Sequence, residues 1–221
     1  MDLTWTAAPL DPNELAIAVL VHDADPGAYS GPSGWTNLLV GSQAGIPPCW
    51  SSLWYNEGGV NGAQTWSWAN TVTTAGCGAT WDGIDDNSPA AQDGKGQGTD
   101  DSLETSSETT TQADELLVYG AGQAVTSLSA LTFSGPTNSF SIIVQKEEAT
   151  GTRVTAALVA RIVAATGTYD SVLTSTQAAS WNTLFGTFFG GAASYSEVMF
   201  PHTTMQLPSR VALPRAEVIG Y

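Results

Sequence analysis

Three features of the sequence predict an all-β fold: an antiparallel, jelly-roll-like β-sandwich built from two similar halves with an extended C-terminal arm. Charged residues are only 12% of the 221-residue chain, and Gly (23), Trp (8), Ser and Thr fill the space that a helical protein gives to Glu, Lys, Arg and Leu. Short apolar or alternating runs are bounded by Gly, Pro, Asn and Asp, the punctuation of strands and turns. A degenerate motif also returns after roughly a hundred residues, far beyond a solenoid period. A hydrophobic content of 42% excludes wholesale disorder.

Read in order, the first half predicts strands at Glu14–His22, Trp35–Val40, Cys49–Asn56, Gln64–Ala69 and Gly76–Ile84. The second half predicts them at Glu115–Tyr119, Ser139–Gln145, Arg153–Val163, Tyr169–Thr174 and Ser180–Phe188. Alternation in Gln64-Thr-Trp-Ser-Trp-Ala puts Trp66 and Trp68 on one strand face. Arg153–Val163 is Ala-rich, yet Val154, Thr155, Val159, Ile162 and Val163 are β-branched and favour a strand. Trp50 and Trp54 share parity against Leu53 and Tyr55, so both faces of that strand are apolar, as in a central strand.

Between the halves, Asp85–Thr111 is rich in Asp, Gly, Ser and Thr and reads as an exposed polar loop. The body then covers residues 1–190, with halves at about 1–85 and 112–190 joined by loop 86–111. Residues 191–221, interrupted by Pro201, Pro208 and Pro214, read as an extended assembly arm.

Six Lys+Arg against 21 Asp+Glu leave a formal net charge of −15. So few cations cannot supply the basic footprint of a nucleic-acid-binding protein or a polybasic membrane anchor. The longest greasy stretch, Ala156–Ala165, is broken by Arg161, so no membrane span is expected. Met1-Asp-Leu-Thr-Trp has neither a basic nor an apolar leader region, so no export signal is expected. Cys49 and Cys77 form no CxxC pair and read as two buried free thiols, although a cross-strand disulfide is geometrically allowed.

The internal repeat matches Asn13-Glu-Leu-Ala-Ile-Ala-Val with Asp114-Glu-Leu-Leu-Val-Tyr-Gly. It also matches Thr73–Ile84 with Ser175–Leu184, pairing Trp81 with Trp181. One sandwich made of two halves and two packed sandwiches both fit such a repeat.

The features Glu14-Leu-Ala-Ile-Ala-Val, Gly31-Pro-Ser-Gly-Trp-Thr-Asn-Leu-Leu, Trp50-Ser-Ser-Leu-Trp-Tyr and Thr65-Trp-Ser-Trp follow one another in order. They continue with Ala79-Thr-Trp-Asp-Gly-Ile-Asp-Asp-Asn-Ser-Pro and Ala113-Asp-Glu-Leu-Leu-Val. In this order they resemble a β-sandwich module of tailed-phage and prophage virion structural proteins, over about Asp2 to Gly190. The resemblance implies a virion component, either a capsid decoration (cement) protein or a tail or fibre protein. It implies assembly in a host cytoplasm, other virion proteins (major capsid or tail proteins) as partners, and a homo-oligomer. Ile84 stands where that family usually has Val.

No enzymatic activity is expected. His22 and His202 have no nucleophile signature nearby, and a lone His in such a place reads as a surface residue. Asp82, Asp85, Asp86, Glu147 and Glu148 offer carboxylates, but no spacing selects a catalytic pair. Asp82, Asp85, Asp86 and Asn87 lie in one turn and are the candidate cation ligands, with Ca²⁺ as the ion and Asp93, Asp100 and Asp101 following. The spacing is not that of an EF-hand, and otherwise no cofactor is expected. Seven of the eight Trp lie between Trp5 and Trp81, and they read either as a glycan-stacking platform or, by alternation, as sandwich core. In the arm, Phe200, Met205, Leu207, Leu213, Ile219 and Tyr221 are the candidate partner-binding residues. Arg210 and Arg215 add charge that suits the acidic body of a neighbour.

Overall fold

The run Leu15-Ala-Ile-Ala-Val-Leu-Val has no polar alternation, so a strand made of it must be covered on both faces. The computed structural model describes residues 1–5, 14–58, 60–84 and 90–199, with the backbone alone at 2, 4, 5, 82, 90–92 and 190–199. Among them there is no helix. The first part of the chain forms β1 (Asp2–Trp5), β2 (Leu15–His22), β3 (Tyr29–Ser30), β4 (Trp35–Gln43) and β5 (Cys49–Glu57). It continues with β6 (Gly62–Thr65), β7 (Ser67–Trp68), β8 (Thr74–Ile84) and β9 (Ala90–Gly98). The second part forms β10 (Ser102–Glu104), β11 (Glu108–Thr109), β12 (Glu115–Val125), β13 (Phe133–Ser134) and β14 (Ser141–Glu148). Then come β15 (Arg153–Val163), β16 (Thr168–Tyr169), β17 (Val172–Ser175), β18 (Ser180–Phe188) and β19 (Gly190–Met199).

Two five-stranded antiparallel sheets carry the fold, in the orders β4-β5-β2-β8-β19 and β14-β15-β12-β18-β9. The orders are the same: β2, β4, β5 and β8 correspond to β12, β14, β15 and β18. Only the fifth strand changes sheet, and it does so reciprocally. β9 follows β8 but pairs with β18, and β19 follows β18 but pairs with β8. The short pairs repeat too, β3–β7 matching β13–β17 and β1–β6 matching β11–β16. The halves therefore build one sandwich, each supplying four strands to one sheet and one to the other.

The sheets pack face to face through Ile17, Val19, Leu53, Cys77 and Trp81 on one side and Val118, Val154, Leu158, Leu184 and Phe188 on the other. Close approach is possible because β12 offers no side chain at Gly120, where a Cβ would stand 2.6 Å from Val19 Cγ2. The outer faces are apolar as well. Ala16, Ala18, Leu20, Trp35, Trp54 and Trp66 form a second cluster beneath β1, β3, β6 and β7. Leu117, Tyr119, Val159, Trp181 and Phe185 form a third beneath β10, β13 and β17, which add Leu103, Phe133 and Leu173. β5 lies between β2 and β4, the central position that its two apolar faces predict.

Three expectations need correction. Residues 90–98, expected in an exposed loop, form β9, and Leu103 of β10 is fully buried. Backbone pairing needs no apolar side chain, and a Cβ at Gly96 would collide with the Glu104 carbonyl oxygen. Residues 191–199, expected in the arm, belong to β19, which pairs with β8 as an edge strand. The Trp81–Trp181 match is out of register. Leu15 faces Trp81 across β2–β8, and its counterpart Leu116 faces Phe188 across β12–β18, so Trp81 corresponds to Phe188. Trp181 faces Gln123 as Thr74 faces His22.

Candidate functional site

The candidate residues fall in different places. Asp82 lies in β8 with its backbone opposite Ser194. Asp85, Asp86 and Asn87 lie outside the described residues, as do His202 and the whole set Phe200, Met205, Leu207, Arg210, Leu213, Arg215, Ile219 and Tyr221. Among the described residues no group of three or more His, Cys, Asp or Glu is placed to hold a metal ion. Asp93 and Asp101 are exposed. Asp100 is a structural acceptor, its Oδ1 taking the Trp181 indole N–H at 2.8 Å and the Ser102 amide at 3.2 Å.

The carboxylates of β14 are likewise committed locally. Glu147 Oε1 lies 2.9 Å from Arg153 Nη1 and accepts the Leu131 amide at 2.7 Å, tying the loop after β12 to the sheet. Glu148 accepts from the Ala149 amide and the Thr150 hydroxyl, both at 3.1 Å. Neither arrangement is a carboxylate pair facing a cleft.

His22 is not the surface residue its position suggested. It closes β2 at 2% exposure, with Nδ1 2.8 Å from Thr74 Oγ1 and its ring against Trp68 at 5.0 Å between centroids. Burial holds its pKa down to about 4, against the opposing charge of Asp23. Its counterpart, Gln123, is also buried and meets the same need without ionising. The Gln123 amide donates to the Gln177 carbonyl at 2.8 Å, and its oxygen accepts from Ser175. The sequence signal was present in both cases: a polar residue closing an otherwise apolar run.

Five of the tryptophans are core. Trp35, Trp54 and Trp66 meet edge to face, at 4.9 Å for Trp35–Trp66 and 6.5 Å for Trp54–Trp66. Trp81 is fully buried between the sheets, and Trp181 is buried in the other outer cluster. These five rings are closed to a sugar face, while Trp50 and Trp68 are half-buried. Cys49 and Cys77 are free and buried, and burial pushes both thiols well above their ordinary range.

One outer-layer position differs between the halves. After β9 the chain crosses onto the outer face, where Leu103 pairs with Leu173. The matching registers of β3–β7 and β13–β17 make Trp66 the counterpart of Leu173. The Trp66 backbone is already taken by Met1, through Met1 N to Trp66 O at 2.8 Å and Trp66 N to Met1 O at 2.9 Å. The position that Leu103 of β10 takes beside Leu173 is thus taken beside Trp66 by Met1, just ahead of β1.

Comparison with known protein families, with curated proteins and with solved structures returns no match for this chain.

Proposed function

We propose that this chain is a virion structural protein of a tailed virus, a capsid decoration (cement) protein that holds a shell together through segment 200–221. The carrying observation is that the repeated plan accounts for strands through β19, while the slot matching β10 is occupied by Met1. Residues 200–221 follow β19, the last strand that the repeat accounts for. They carry Phe200, Met205, Leu207, Leu213, Ile219 and Tyr221, too apolar a set for a solvated tail and too interrupted by proline for a helix. Such a segment binds a neighbour by adding main-chain hydrogen bonds and seating alternate side chains in pockets. Arg210 and Arg215 complement a body that gives the chain its net charge of −15. A doubly covered, interlocked sandwich supplies the rigid element that a decoration needs, and the resemblance to phage virion modules points to the same role. A tail or fibre component would use the same body and arm.

The test is a chain ending at Met199, compared with the full chain by light scattering and by co-sedimentation with capsids. The reading expects an unchanged melting temperature and loss of both self-association and capsid binding. Full-chain binding by the truncated protein would overturn it.

A further inference from the structure

Each of the two large sheets has two edge strands, and the four differ in how they turn a further strand away. β14 carries Lys146, Glu147 and Glu148, and β9 carries Asp93 and Lys95. β19 carries Glu197, and its register on β8 shifts twice. Charge and irregularity are the usual devices against edge-to-edge pairing. β4 has neither charge nor proline along its nine residues, and its one irregularity is the bulge at Leu38.

That bulge is braced from within. Asn37 Nδ2 donates to the Leu39 carbonyl at 3.4 Å and to the Leu53 carbonyl at 3.3 Å. Before it, the Trp35 amide turns back to the Pro32 carbonyl at 3.2 Å. Beyond it, residues 39–43 pair with 49–53 without a break. Among the described residues no strand lies on the other side of this stretch, so alternate N–H and C=O groups along it face outward. Val40 is half-buried there and Ser42 is exposed.

The end of β19 points to the occupant. β19 stops at Met199 on the outer side of β8, and β4 is the opposite edge of the same sheet. Between them both faces are covered, one by the other sheet and one by the layer of β1, β3, β6 and β7. Residues 200–221 of the same copy therefore reach that edge only by going round the sandwich, whereas the edge of a second copy needs no such detour. Pro201, Pro208 and Pro214 divide the segment into proline-free runs at 202–207, 209–213 and 215–221, each long enough to pair with residues 39–43. A strand added there becomes the new edge, where proline is tolerated and stops further addition.

We propose that β4 is the acceptor edge for residues 200–221 of a second copy, one proline-free run adding as a sixth strand beside residues 39–43. Each copy then donates one strand and accepts one, a head-to-tail contact. This acceptor edge rests on the reading of segment 200–221 as an assembly arm.

The test uses full-length chains, with their size followed by light scattering. Amide exchange across residues 39–43, read by mass spectrometry, should slow by at least about tenfold from the dilute, dissociated chain to the oligomer, with no change across β14. Full chains with Ser42→Cys are then mixed with full chains carrying Met205→Cys, Val211→Cys or Val218→Cys, one in each run, and treated with a short bismaleimide. The native Cys49 and Cys77 are buried and stay out of the reaction. At least one arm position should cross-link to Ser42→Cys, and none to Lys146→Cys on the β14 edge. Oligomers that are lost without residues 200–221, yet lack either the β4 protection or the Ser42→Cys cross-link, or cross-link equally to Lys146→Cys, overturn the β4 site and leave the arm reading standing. Chains that stay monomeric, or that associate equally without residues 200–221, overturn both.

Discussion

Leu38 and Ile143 are the same residue of the two halves: each is the extra residue of a β-bulge, and each packs half-buried against the inter-sheet core. Pairing steps from Asn37–Trp54 to Leu39–Leu53 in one half and from Ile142–Val159 to Val144–Leu158 in the other. The bulge lets Trp35 reach the outer cluster while Leu39, farther along β4, reaches the inner one.

Deleting Leu38 should therefore cost far more than truncating it. Without the extra residue, one end of β4 flips, and either Trp35 or Leu39 loses its core. The expected loss is about 3 kcal/mol or more for the deletion, against about 1 kcal/mol for Leu38→Ala. Equilibrium urea unfolding of the two variants measures the difference.

Gly120→Ala should lower stability by about 1–3 kcal/mol, because the new methyl group meets Val19 across the sandwich and the packed sheets must part. The double variant Gly120→Ala with Val19→Ala should recover part of that loss in a double-mutant cycle.

His22 makes stability depend on pH. Its folded pKa of about 4 lies below the ordinary 6.5, so the unfolded chain binds more protons between those values. Stability should be full above pH 6.5, fall as pH drops toward 4, and lose nothing more from this residue below that. The whole effect amounts to about 3 kcal/mol. His22→Gln, which copies Gln123 of the other half, should flatten the curve over this window in thermal melts. An unchanged slope would show that other groups set it.

Cys49 and Cys77 should resist alkylation by iodoacetamide in the native protein up to about pH 9, since burial raises both thiols and closes access to them. Both should react once the chain is unfolded in urea, as counted by mass spectrometry. Alkylation of either in the folded protein would place it nearer the surface than this packing allows.

Where apolar residues are dense, the sequence was legible. Ser180–Phe188 and Arg153–Val163 are strands with the expected bounds, and the burial of Trp35, Trp54, Trp66 and Trp81 follows from alternation. β9 was not legible, because Ala90-Ala-Gln-Asp-Gly-Lys-Gly-Gln-Gly has turn chemistry and is held by backbone pairing to β18. The repeat was visible at Glu14-Leu and Glu115-Leu but misaligned at Trp81, since a conspicuous residue type outweighed a register that only pairing reveals.

The central claim is that two halves exchange their fifth strands within one sandwich. Residues 1–98 and 99–221, produced separately and then mixed, test it most directly by circular dichroism and size-exclusion chromatography. The account predicts that neither fragment melts cooperatively alone, because each then lacks the opposing sheet and the strand its own sheet receives from the other fragment. Mixing should restore a one-to-one complex with the β-rich spectrum and cooperative melting of the intact chain. Two fragments that each fold as stable monomers and ignore one another would contradict it.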